Sequence, residues 1–166
     1  MTETTTHLAD DATMVLADTP VSRCWFYQRV CGLPARIDPQ MGRIFVLSGS
    51  IGAITMPAQL GALVKNHLNQ GAPVGPVVSH PRSKRWTFLI RPEVRDEMPL
   101  FSELFRLNAS LSPIGAQIAL PSPADEVGAV GFRIWAQAPR DSYRPSGLAV
   151  IDAIRACVCP RPERRR

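Results

Sequence analysis

Residues 75–91, GPVVSHPRSKRWTFLIR, constrain the fold more than any other stretch of this chain. An apolar run enters, a tight basic turn interrupts it, and an aromatic and β-branched run leaves, which is the pattern of two strands joined at an exposed tip. The tip, His80-Pro81-Arg82-Ser83-Lys84-Arg85, is the densest internal cluster of positive charge. The segments around it read as a single α/β layer whose apolar strands demand cover on at least one face.

The chain has 166 residues, 45% of them hydrophobic, which suits one full core and no second large one. The expected division is a tail and short helix over 1–20, one domain over 21–158, and a basic disordered tail over 159–166. Within the first part, Leu8, Ala12, Val15 and Leu16 recur at helical spacing over 7–18. Residues 21–30, with Trp25, Phe26 and Tyr27, are ambiguous between strand and helix. Arg23 and Arg29 among those rings make either a stacking and phosphate surface or ordinary flanks of a core segment.

Strands are expected at 43–47 and 51–56, followed by a helix over 58–69 that Pro57 opens without losing a needed N–H. Its apolar stripe is Leu60, Leu63, Val64 and Leu68. Strand, helix and the strand at 74–78 suggest a βαβ-like crossover, with no indication whether its two strands are neighbours. A helix over 98–107, strands at 115–120 and 132–136, and a helix from Pro145-Ser146 to about residue 158 complete the chain. The fold class is α+β, a mixed sheet flanked by helices, with the strands at 51–56, 74–79, 86–90, 115–120 and 132–136 in one continuous sheet.

Charge and motifs exclude more than they assign. The net charge is +5, but part of the excess lies in the Pro-rich end, Arg161, Arg164, Arg165 and Arg166, so charge alone does not define a nucleic-acid groove. No segment approaches the roughly 20 apolar residues that span a bilayer, and the first residues are polar and acidic; the expectation is a cytoplasmic protein with no membrane role. Cys24, Cys31, Cys157 and Cys159 do not form paired C-x-x-C motifs, which predicts reduced, mostly buried thiols, with a clamp joining the two ends as the alternative. Phosphate loops and a G-x-S-x-G nucleophile turn are absent. Asp125-Glu126 beside His80 forms a conceivable acid/base pair, although adjacent carboxylates in a polar loop are usually solvated.

The ordered set GAITMP and helix, GPVV, basic turn, WTFLI, IALPSP and GFRIWAQAP resembles the N-terminal domain of the bifunctional DNA primase/polymerase family, a branch of the archaeo-eukaryotic primase superfamily. The resemblance covers roughly residues 46–154. Its most specific piece is Pro121-Ser122-Pro123, then Phe132 and Arg133 before Trp135, and Pro139 downstream. These look like the family's Pro-Pro-Ser turn and Tyr-Arg-Trp strand.

The resemblance implies two acids on the first central strand and a third on a later one, holding divalent metal against a nucleotide triphosphate through oxygen ligands. Here the first strand, Ser50-Ile51-Gly52-Ala53-Ile54-Thr55-Met56, carries no carboxylate, and the later acid falls near Ser110 in a segment without Asp or Glu. The family's phosphate-contacting histidine maps to Arg85 or Trp86, with His80 displaced. No metal, no cofactor and no catalytic residue is therefore assigned.

The expected function is a non-catalytic, primase/polymerase-like binding or regulatory module. Its contacts to DNA, RNA or nucleotide would run through Arg82, Ser83, Lys84, Arg85 and Trp86, with His80, Arg91 and Arg133 as accessories. The alternatives are a nucleotide- or nucleic-acid-processing enzyme with another ligand set, a protein-partner scaffold on the apolar floor of the vacated cleft, and a tip that only keeps an edge soluble.

Overall fold

The computed structural model describes residues 17–95, 97–126 and 132–159. The short helix expected over 7–18 lies almost wholly outside them, and the basic tail beyond residue 159 lies outside them altogether. Residues 21–30 form helix α1 (Pro20–Arg29), and the local reason is a capping box. The Ser22 N–H donates to Thr19 Oγ1 at 3.1 Å and the Thr19 N–H donates to Ser22 Oγ at 2.9 Å, with Pro20 in the first turn. Of the three aromatics only Tyr27 is core; Trp25 is 58% exposed.

Strands β1 (Arg36–Ile37) and β2 (Ile44–Leu47) follow, then β3 (Gly52–Pro57), helix α2 (Ala58–Leu68), and the hairpin of β4 (Val77–His80) and β5 (Arg85–Ile90). Helix α3 (Met98–Arg106), β6 (Ser110–Leu111), β7 (Gln117–Leu120), β8 (Ile134–Gln137) and α4 (Gly147–Val158) complete the order. The protein is α+β, with two sheets rather than one: β1-β2-β7, and β6-β3-β5-β4-β8.

Two sequence expectations are corrected here. The sheet is not mixed, because every pairing between its strands is antiparallel. The crossover β3-α2-β4 does join two strands of the same direction, but β5 inserts between them and pairs with both. In addition, the strand at 115–120 leaves the central sheet. The place beside β3 is taken by the two-residue β6, with Thr55 opposite Ser110, while β7 pairs with β2 from Ile44 opposite Leu120 to Leu47 opposite Gln117. So short a strand carries no periodic signal.

The molecule has three layers. One face of the five-stranded sheet packs Ala53, Val78, Leu89 and Trp135 against α1 and the smaller sheet, through Tyr27, Ile44, Val46, Ile118 and Leu120. The opposite face packs Ile54, Met56, Val77, Phe88 and Ile90 against Val64 of α2, Leu104 of α3 and Val150, Ile151 and Ile154 of α4. Burial of both faces is why β3 and β5 read as continuous apolar runs instead of alternating ones. Tyr27 ties the layers together, donating its hydroxyl hydrogen to the Pro121 carbonyl at 2.7 Å and accepting from Trp135 Nε1 at 3.0 Å. The four cysteines are free, with Cys24 and Cys31 buried, Cys157 half-buried and Cys159 exposed, so the alternative of a disulfide clamp is set aside.

Candidate functional site

Toward the tip end of the five-stranded sheet, the face that meets the smaller sheet changes from apolar to polar. Thr55 on β3 and Thr87 on β5 are register partners, their hydroxyls 2.8 Å apart, and His80 Nε2 reaches Thr87 Oγ1 at 2.9 Å. This chain of side chains crosses three strands and forms the floor of a cleft of about 280 Å³. Ser83 and Arg85 border it at the hairpin, Ser112 lies on the β6 side, and Gln117, Ile118 and Ala119 of β7 form the opposite wall. None of these lining residues is a carboxylate. Burial, followed by the guanidinium groups of Arg133 and Arg85, holds His80 below its ordinary value, and Asp125 opposes them only in part.

The hairpin is anchored. Lys84 takes a positive φ of 54° at the turn, its carbonyl accepts from the Ala58 N–H at the start of α2 at 2.9 Å, and its own N–H reaches the Pro81 carbonyl at 3.3 Å. Arg82, Ser83 and Lys84 are exposed, as expected. Lys84 borders a separate hollow with Pro57 and Gln59 on the other side of His80. Arg85 is committed to structure: its guanidinium donates to the Asn108 carbonyl at 2.8 Å, to Asn108 Oδ1 at 3.2 Å and to the Thr55 carbonyl at 3.4 Å.

The remaining sequence-predicted residues divide. Trp86 points to the opposite face of the sheet and packs under α2, so close that a Cβ on Gly61 would stand 3.0 Å from its ring; it is not a stacking face at the tip. Arg91 lies at the far end of β5, about 20 Å along the strand, where it pairs with Glu93 at 3.5 Å. Arg133 is at the site but is held by Asp125 at 2.8 Å. Asp125 is fully buried and also accepts the Ser122 N–H at 3.0 Å, which corrects the reading of this acid as solvated surface. The buried Arg133 Nε has no hydrogen-bond partner among the described residues.

Sequence reasoning missed Arg43 and Phe132. The Phe132 ring receives the guanidinium carbon of Arg82 at 3.6 Å from its centroid and that of Arg43 at 5.3 Å, so one ring joins the hairpin tip to the segment entering β2. Neither Arg82 nor Arg43 has an ion-pair partner among the described residues. No local signal links positions 43, 82 and 132; only the closure of two sheets on each other does. Thr55, on the strand where the resemblance implies two acids, and Ser110, near which it implies a third, are cross-strand neighbours bearing hydroxyls, and among the described residues no three His, Cys, Asp or Glu side chains converge as a metal site.

Comparison with family models, curated proteins and solved structures gives no match to this chain.

Proposed function

We propose that this protein is a non-catalytic, primase/polymerase-like module that binds a phosphate-bearing partner, DNA, RNA or nucleotide, at the cleft between its two sheets. The observation that carries this reading is the composition of the cleft. Hydroxyls of Thr55, Thr87, Ser83 and Ser112 converge with His80 and Arg85, no carboxylate lines the space, and Arg82, next to Ser83 on the hairpin, shares the Phe132 ring with Arg43, neither having an ion-pair partner among the described residues. Guanidinium and hydroxyl donors suit phosphate oxygens without a metal, whereas apolar and hydroxyl groups at the acid positions supply no charge to offset a dication.

The polar floor of this cleft favours the phosphate-binding reading over the protein-partner alternative, which called for an apolar one. The enzyme alternative has no independent support in the geometry.

Calorimetric titration with nucleoside triphosphates and short single-stranded DNA and RNA, with chelator present, tests the proposal. Wild type is expected to bind at least one of them, and Arg82→Ala with Lys84→Ala to weaken it. Because Arg85 braces Asn108 and Thr55, it is left intact so that lost binding is not lost folding. Absence of binding to all three near physiological salt overturns the proposal.

A further inference from the structure

The cleft between the sheets is small for a whole nucleotide. Its volume of about 280 Å³ falls below the roughly 300 to 1,000 Å³ of sites that enclose a drug-sized ligand. No aromatic ring is among its lining residues. The rings of the neighbouring segments are spent elsewhere: Phe132 carries Arg82 at 3.6 Å and Arg43 at 5.3 Å from its centroid, Trp135 donates to Tyr27, and Trp86 packs beneath α2. A base entering here meets no ring face, and ring stacking is what holds bases in sites that bind single strands. What the cleft offers is hydrogen-bond donors. His80 Nε2, Thr87 Oγ1 and Thr55 Oγ1 form a chain at 2.9 and 2.8 Å, and with the hydrogen on Nε2 each group donates to the next. The Thr55 hydroxyl hydrogen at the end of the chain is then left for a ligand. The Ser112 hydroxyl and the Gln117 amide, which border the same space, make no hydrogen bond within the described residues.

Resting on the phosphate-binding reading above, we propose that the cleft takes the terminal phosphoryl group of its ligand and leaves sugar and base outside. It then recognises a polyphosphate or a phosphorylated end whatever base is attached. A terminal phosphoryl group brings three acceptor oxygens and a charge of about −1.5 to −2, whereas a diester inside a strand brings a single charge and fewer free oxygens. The convergent hydroxyl, amide and imidazole donors match the terminal group better, and no carboxylate among the lining residues repels its second charge.

The test is calorimetric titration, with chelator present, of inorganic tripolyphosphate, the common ribonucleoside triphosphates, adenosine, and one short DNA strand with and without a 5′-phosphate. Tripolyphosphate should bind within about threefold of every nucleoside triphosphate, and adenosine should not bind. The phosphorylated strand should bind about tenfold tighter than its 5′-hydroxyl twin. Ser112→Ala and Gln117→Ala remove groups that have no hydrogen bond to lose within the fold. Each should weaken tripolyphosphate binding about threefold or more while leaving the urea midpoint in place. A preference for one base beyond about tenfold, or equal binding of the two strands, overturns this inference and leaves the phosphate-binding reading standing. Tripolyphosphate binding indifferent to both substitutions overturns the location. Binding of none of these ligands overturns the phosphate-binding reading as well.

Discussion

His80 shows how one residue couples the cleft to pH. Its folded value is held below 6.5 by burial and by Arg133 and Arg85, so the unfolded chain takes up the proton first. More protons bound in the unfolded state means that stability rises with pH, and this contribution is therefore complete above 6.5 and declines as pH falls below it. His80→Gln should flatten that part of a denaturant-midpoint profile below pH 6.5; an unchanged slope would show that another group is responsible. A phosphate beside His80 reverses the balance by favouring the imidazolium. Ligand affinity should then rise as pH falls into the range where the His80 imidazole takes up its proton, with proton uptake visible as a buffer-dependent heat. Lys84 offers a second residue-scale test. Its positive φ costs roughly 1 kcal/mol that glycine would not pay, so Lys84→Gly should stabilise the fold by up to about that amount in urea while removing one cation from the tip.

At the scale of elements, the hairpin was legible because chemistry and period agree: an apolar run, a Pro-led basic turn and a second apolar run admit little else. Helices α2, α3 and α4 were legible from their leucine, isoleucine and valine spacing. The assignment of β7 was not, since its partner was decided by the unsignalled β6 occupying the edge of β3. Trp86 illustrates the same limit. Sequence placed it beside three cations, but strand alternation sends it through the sheet to α2. Gly61→Ala tests that packing: the gain in helix propensity of about 1 kcal/mol opposes a clash with a ring held between sheet and helix, worth roughly 1 to 3 kcal/mol. Net destabilisation with altered tryptophan fluorescence is expected, and net stabilisation would mean the ring is free to move. The start of β8 is held by a different interaction. Asp125 and Arg133 are joined in a site where the acid has no exposure, so Asp125→Ala leaves a largely buried cation and should cost about 3 kcal/mol in urea unfolding, beyond what an exposed pair loses.

Across the whole molecule, the candidate site exists only because two sheets meet. The hairpin gives His80, Ser83 and Arg85, β3 gives Thr55, and the smaller sheet gives the Gln117 wall, while Phe132 draws Arg43 and Arg82 together at the margin. Sequence exposed the hairpin's share, but not the wall or the Arg43 contribution, which depend on contacts between residues far apart in the chain. Without a carboxylate lining the cleft, the protein is expected neither to extend nor to synthesise a primer with magnesium or manganese; incorporation abolished by chelator would relocate the site. The most direct measurement is residue-resolved: amide and side-chain chemical shifts recorded while single-stranded DNA, RNA or a nucleoside triphosphate is titrated in the presence of chelator. Saturable shifts concentrated at Thr55, His80, Ser83, Arg85, Thr87 and Gln117, weakening as salt rises, are the predicted result. No shifts with any of the three, or shifts confined to surfaces away from the cleft, would contradict it.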